Sequence, residues 1–541
     1  NQYAQYNSES TNGGLIVPNQ FFIKNSKQQA SFNAYKFNTK RIVSTIFMIG
    51  TSWKNQLFLD ITGRNDWSSA LVYSYGTGNF SYFYPSVSGS WIITETFKDK
   101  LPKWVSFAKV RGSWAQVGND TSPYYINSGY SVATYQRGDK KIYGMTIPEN
   151  MKSTNLKPER KNAWEVGLDW RFFDSRIGVD LTYYKENTRN QIMTINVPWE
   201  SGVKEKLINA GNIQNSGIEI ALNTTPIKKK QWQWDLNFTY TRNRNKIVEL
   251  SPDVTSYINL DGAANYGNYR IASVAKVGSD YGMLMSDSWI KTDEKTGKPV
   301  VGYTNKFRTV YYKRGGTVKE VGSMLPNFLG SLNSTLRWKD LSLYVLFDAR
   351  FGGYVASYNS RYATAYGFSG ETEKYRKGMT WTSKYANAQD KVFTDGFIPD
   401  VVFDAGTIVT TPGGTNQDVS GMTYQEAYEK GYVEPAHLQS AAYFKNSWGT
   451  GVINDDWFKK INYIALREIT LSYNVPTKIS SYIGAKNLSL SFTGRNLAYL
   501  LNTAPNHENP ESVRGTGAAQ FRMRSFMPYT ASYLFTLNAT F

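Results

Sequence analysis

The side chains that carry most enzyme and metal chemistry are scarce in this sequence. The 541-residue chain has no cysteine and two histidines, His437 and His507. Thiolate sites, imidazole metal sites and nucleophilic triads therefore have little to be built from. Carboxylates occur in "ETEK" (371–374), "NDD" (454–456) and "NPE" (509–511), but no spacing ties two of them into an acid–base pair. "TDEKTGKP" (292–299) lacks the alternating acidic ligands of a calcium loop and reads as a hairpin tip. Glycine-rich runs do not lead from a strand into a helix, as a phosphate cradle requires. Neither an enzyme nor a cofactor is implied. What does recur is a set of polar residues at one distance from a short turn: Arg64 and Asp66, Tyr184 and Glu186, Asp348 and Arg350, and Arg495. Each lies about ten positions past its turn, roughly one membrane crossing for a strand. On that spacing they ring one mouth of a wet channel, as contacts for a substrate or as solvated wall.

Such a ring needs strands to hold it. In "WQWDLNFTY" (232–240), Trp232, Trp234, Leu236, Phe238 and Tyr240 alternate with Gln233, Asp235, Asn237 and Thr239. "LFLDITGRN" (57–65), "WEVGLDWRF" (164–172) and the closing "ASYLFTLNATF" (531–541) alternate in the same way, the last with Leu534 as its exception. Period-two patterning over many segments means strands with one apolar and one wet face. No apolar run reaches the roughly 18 residues of a spanning helix, whereas membrane barrels cross on weakly hydrophobic strands. The net charge of +18 is dispersed, with one local cluster at 228–230; it reads as polar surface, with no nucleic-acid partner.

A soluble sandwich alternates too, so the connections decide. Short turns at 54–55, 173–176, 226–230 and 339–340 contrast with long polar stretches at 118–158, 188–212, 249–270 and 354–456. Short turns at one end and long loops at the other are the plan of an outer-membrane barrel. Trp53, Trp104, Trp170, Phe172, Trp232, Trp234 and Trp338 crowd the short-turn end, where an interfacial aromatic girdle belongs. The expected fold is therefore all-β: a transmembrane antiparallel barrel with short periplasmic turns and long extracellular loops. Its strands fall at 41–53, 56–66, 83–96, 104–117, 160–173, 175–187, 213–226, 231–246, 326–338, 341–352, 458–475, 486–497 and 528–541. A further down–up pair is expected inside 268–325, near "SVAKVGSDYGMLM", for about fifteen strands. The set opens and closes on descending strands, whereas a closed single-chain barrel has an even number. Its opening strands are thus expected to come from elsewhere, with 1–40 a loop or strand remnant. In "YIALREITLSY" (463–473), Arg467 shares the parity of Ile469 and Leu471, which calls for a bulge or a snorkelling side chain.

The patches "GRNDWSSAL…YFYPSVSGSWIITETF…LPKWVSFAKVRGSWAQVGND" (63–120), "NLKPERKNAWEVGLDWRFF" (155–173), "NAGNIQNSGIEIALNTTPI" (209–227), "IALREITLSYNVP" (464–476) and "FTGRNLAYL" (492–500) with "NPE" run in one order. Together they resemble SusC-type (SusC/RagA family) TonB-dependent outer-membrane transporters. The resemblance implies the C-terminal portion of a 22-stranded barrel in the cell outer membrane. It also implies an N-terminal plug, here missing, that engages TonB, and a SusD-like surface lipoprotein delivering oligosaccharide or peptide substrate. The terminal Phe541 resembles the family's assembly signal. Tyr124, Tyr125, Tyr375 and Trp381 in the loops are candidates for stacking on sugar rings or docking the lipoprotein. The competing readings are a passive pore or adhesion barrel without energy coupling and, further off, a soluble all-β carbohydrate-binding protein.

Overall fold

The structure, a computed structural model, describes residues 2–7, 31–37, 39–98, 100–127, 129–138, 140–146, 148–197, 199–251, 257–260, 265–266, 269–287, 289–306, 308–315, 318–370, 378–437, 458–512, 521–523 and 528–541. Thirteen antiparallel strands form one continuous wall: β1 (Ile42–Trp53), β2 (Leu57–Ser68), β3 (Ser81–Ile92), β4 (Val105–Asn119), β5 (Glu159–Phe172), β6 (Ile177–Asn196), β7 (Glu205–Lys228), β8 (Trp232–Glu249), β9 (Phe328–Trp338), β10 (Leu341–Ser357), β11 (Phe458–Val475), β12 (Asn487–Asn502) and β13 (Ser532–Thr540). Each pairs only with its sequence neighbours along this path. Two dipeptide strands, Asn150–Met151 beside β7 and Arg522–Met523 beside β10, join the same sheet. Gln2–Asn7 and Ser31–Phe37 pair with each other in a separate hairpin.

Tight turns sit at one end. Lys54 and Asn55 both take positive φ (50° and 53°), the left-handed pair that joins two strands without splaying their twist. Phe173, Asp174 and Ser175 do the same between β5 and β6. Trp232 and Trp338 stack at 5.6 Å across β8 and β9 at this end, and Trp104 lies 5.6 Å from Phe172. The expected girdle is there, and Lys54 and Lys339 lie over the rings of Trp53 and Trp338.

The faces follow parity. Phe238, Leu332 and Leu343 are exposed on one face, while Asn237, Asn333 and Tyr344 occupy the other on the same strands. Among the described residues, no apolar cluster packs against the inward face of the staves within the lipid band. The buried clusters sit instead above the band, where β6 and β7 run on and long loops pack. One joins Val301, Val310, Phe403, Tyr424 and Ala436; another joins Ile208, Ile213, Ile247 and Ala275.

One expectation is corrected. No down–up pair from 268–325 enters the wall, because β8 bonds directly to β9 from Trp232↔Trp338 to Thr241↔Leu329. An ascending β8 followed by a descending β9 already alternates, so among the described residues the path has thirteen strands, and the sheet reaches fifteen only with the two dipeptide strands beside it. "SVAKVGSDYGMLM" goes into a small loop sheet, and consecutive Ser273, Val274 and Ala275 are wholly buried. Both faces of that strand are covered by protein, which a lipid-facing stave is not. The 292–299 segment is a hairpin tip, as expected, with Asp293 accepting from the backbone and hydroxyl of Thr296.

Among the described residues, β1 and β13 are not hydrogen-bonded to each other. Every residue of β1 is exposed, and so is every residue of β13 but Ala539. Within the described residues these two strands are the ends of the sheet.

Candidate functional site

The inward face gathers its charges into separate ion-pair clusters. In the first, β2 aligns Arg64 and Asp66 two residues apart on the wet side, and Arg64 Nε donates to Asp66 Oδ1 at 2.6 Å. Arg64 Nη2 also reaches Ser44 Oγ at 3.0 Å, and the Tyr84 hydroxyl donates to the other oxygen of Asp66. In the second, Lys161 pairs with Glu186, which accepts from Asn215 Nδ2 at 3.1 Å. Nearby, Tyr184 donates to Asn243 at 3.2 Å. Lower on the wall, Arg111 forks onto both oxygens of Asp180, each at 3.0 Å.

The third cluster is the densest, and sequence reasoning found only half of it. At Arg467 the register slips against both neighbours: Leu346 pairs with Glu468 but Phe347 with Leu466, and on the other side Leu466 and Glu468 flank the same gap. Arg467 is thus the extra residue of a β-bulge, which re-aims a side chain that strict alternation would send into lipid. Inside, Arg467 Nη1 and Nη2 each reach Glu511 at 2.7 Å, and its Nη2 reaches Asp348 at 2.8 Å. Tyr499 donates to Glu511 at 2.8 Å. Burial raises the Glu511 carboxyl, but the Arg467 and Tyr499 hydrogen bonds outweigh it and hold the group below its ordinary value. Ala465, Arg467, Tyr499, Asn509, Glu511 and Tyr529 help line a cavity of ≈ 240 Å³ here. The signals in the sequence were the parity break at Arg467 and the "NPE" carboxylate.

The remaining candidates do not converge. Arg350 does not join Asp348; its guanidinium donates to the carbonyls of Gly352 and Met324 at 3.3 and 3.2 Å, a strap on the start of β9. Arg495 pairs with Glu468 at 2.9 Å. Tyr124 is exposed in the loop after β4 with a positive φ of 61°. Its neighbour Tyr125 bonds Thr194 at 3.2 Å and carries Lys152 over its ring. Trp381 stacks on Phe393 at 5.0 Å inside a small loop sheet, so its faces serve packing. Tyr375 lies outside the described residues. Phe541 is exposed past the end of β13, its carbonyl accepting from Lys486 Nζ at 3.2 Å.

A sequential meander with a greasy outside, a wet inside and loops at one end matches the TonB dependent receptor-like β-barrel family over residues 1–354. The chain belongs to that family. TonB-dependent receptor P26 of Formosa agariphila is 23% identical over 486 residues, covering 88% of this chain and 43% of that protein. TonB-dependent receptor SusC of Bacteroides thetaiotaomicron is 27% identical over 270 residues, 48% of this chain and 26% of SusC. The chain thus spans less than half the length of these relatives. In fold it is similar to a chain of the RagAB peptide importer in its "open-open" state (TM-score 0.64, 16% identity, 96% of this chain and 48% of that one). It is also similar to one in the RagAB peptide transporter (TM-score 0.65, 16% identity, 98% and 51%). This member of the TonB-dependent receptor family is an outer-membrane protein.

Proposed function

We propose that this chain is the C-terminal wall of an importer that brings nutrient oligomers, glycans or peptides, across the outer membrane. On this reading a plug-bearing portion completes the barrel and couples it to TonB, and a SusD-like lipoprotein seats on the long outer loops. The observation that carries it is the continuous antiparallel wall whose outer face is apolar and whose inner face is lined by ion pairs and amides, in a family of TonB-dependent receptors. The fold shared with a chain of the RagAB peptide importer supports oligomer uptake. Paired charges leave the inner wall polar but locally neutral, which suits passage of a bulky hydrated substrate better than tight capture of an ion. The mouth residues Arg64, Asp66, Glu186, Asp348, Arg350 and Arg495 act in this reading as lining, and Tyr124 and Tyr125 as loop contacts for substrate or lid.

The test is extraction from the native outer membrane in mild detergent, followed by mass spectrometry of everything that stays bound. A plug-bearing polypeptide and a lipoprotein are the expected companions. Finding neither would favour a passive pore and overturn the importer reading.

A further inference from the structure

The outward face of the wall continues above the lipid band, and there it changes character. Along β8 the lipid-facing row Trp232, Trp234, Leu236, Phe238, Tyr240 continues without register break into Arg242, Arg244 and Lys246. Tyr240 marks the upper boundary: it packs 5.4 Å from Phe328, which stacks 4.8 Å from Phe351, and Trp164 lies 5.4 Å from Tyr183 further round. These rings form a second girdle, about 26 Å of strand above the first at ~3.3 Å per residue. The three cations therefore begin one outward position beyond the hydrocarbon, at headgroup height. All three are exposed.

Their surroundings differ from those of the inward cations. Arg64, Arg111, Lys161, Arg337, Arg467 and Arg495 each have a carboxylate partner on the wet face. Among the described residues, no ion pair engages Arg242, Arg244 or Lys246. Neighbouring positions on this face are short or neutral: Ser216 stands opposite Arg244 and Gln214 opposite Lys246. One strand further on, Lys185 stands opposite Ser216, so Lys185 and Arg244 flank a serine across roughly 10 Å at ~4.8 Å per strand. A cleft of ≈ 580 Å³ adjoins this patch where β8 runs past its pairing with β9; Asn243 and Asn245 of the opposite parity, Asp280 and residues 325–327 share its lining with the three cations. Asp280 is the one carboxylate among its lining residues.

We propose that this patch binds the phosphate of an outer-leaflet lipid headgroup. Three unpaired cations in a row, a fourth across a serine and a polar cleft at headgroup level fit an anion with several acceptor oxygens. The acyl chains of the same lipid lie down the apolar row below, against Phe238 and Leu236. The lipid is thereby held by both ends, which a free phosphate ion is not.

The protein taken from its own outer membrane is exchanged into nanodiscs containing lipid A or its dephosphorylated form, and native mass spectrometry counts the lipids it retains. Retention of the phosphorylated lipid is expected to be roughly tenfold higher. Arg242→Gln/Arg244→Gln/Lys246→Gln should abolish that preference, Arg242→Lys/Arg244→Lys should keep most of it, and the inward Arg337→Gln should leave it unchanged. Equal retention of the two lipids by the unaltered protein overturns the proposal, whether or not the triple variant folds. Undiminished preference in a folded triple variant does so too. Inorganic phosphate displacing the lipid at the concentration at which lipid A itself displaces it would make this a free-ion site, and would equally overturn it.

Discussion

Removing Arg467 tests whether the bulge on β11 is held for its charge. Its guanidinium donates twice to Asp348, at 3.1 and 2.8 Å, and twice to Glu511, both at 2.7 Å. The Glu511 contact is a two-pronged fork, the stronger geometry for a carboxylate. Side-chain exposure is 19% for Arg467, 35% for Asp348 and 41% for Glu511, so the cluster sits between the buried and surface regimes. Loss of one partner from a buried pair costs about 3–5 kcal/mol, and an exposed pair is worth about 0.2–1. Arg467→Met should therefore cost about 2 kcal/mol. The loss should appear locally, because Glu511 anchors the 503–512 loop while the wall keeps its other ladder bonds. In native membrane vesicles, amide exchange at Glu508, Asn509, Glu511 and Ser512 is expected to quicken roughly 30-fold. Combined with Glu511→Gln, the double change should cost about 1 kcal/mol less than the sum of the singles. Strict additivity, or unchanged exchange in Arg467→Met, would refute the argument that this ion pair ties the loop to the wall.

Three further outcomes are expected. Leu236→Lys, on the lipid face near the midplane, should destabilise the barrel in vesicles by about 2–4 kcal/mol, while Thr536→Lys, opposite Ser491 on the wet face, should cost much less; equal costs contradict the face assignment. Deleting Phe541 should lower outer-membrane levels without a matching loss of stability, since the ring is exposed and the residue is held through its backbone oxygen, which accepts from Lys486 Nζ; immunoblots of membrane fractions decide it. Burial raises the Glu508 carboxyl above its ordinary 4.5, with Ser357 Oγ opposing. A raised folded value favours the protonated form, so its stabilising contribution is whole below about 4.5 and fades as pH rises through the folded value. Glu508→Gln should flatten that dependence and slow amide exchange around α1 (Tyr358–Ala365), which Ser357 caps; unchanged exchange near pH 7 would count against it.

The wall was legible because lipid and water impose opposite demands on successive residues, and a stave such as Trp232–Glu249 records both in one pattern. Turn sites were legible for a related reason: "KN" and "FDSR" take the positive φ values that join neighbouring strands. The loop insertions were not, because there both faces of a strand can be covered by protein. Val274 and Leu284 look like stave residues by type and are wholly buried in a loop sheet. The mouth was half legible. Parity put Arg64, Asp66, Glu186 and Asp348 on the wet face, but the partner of Asp348 came from a residue of the wrong parity, and the second acceptor from a loop more than forty residues away in sequence. Register slips and loop returns leave no periodic trace; only the misfit of Arg467 pointed to this one.

The same physics explains why that misfit is tolerated and the outward cations are too. At the height of β11 residues 465–469, an unpaired guanidinium facing lipid would be costly, and the chain gives up one register step to bring Arg467 inside to two carboxylates. On β8, the cations at 242, 244 and 246 keep strict register and face outward, with no bulge correcting them. Had their level been hydrocarbon, a slip like that at Arg467 would be expected between Tyr240 and Lys246. Its absence places them above the apolar band, where an outward charge meets headgroups instead of acyl chains. The two arginine arrangements thus agree with the upper limit that the aromatic girdle gives.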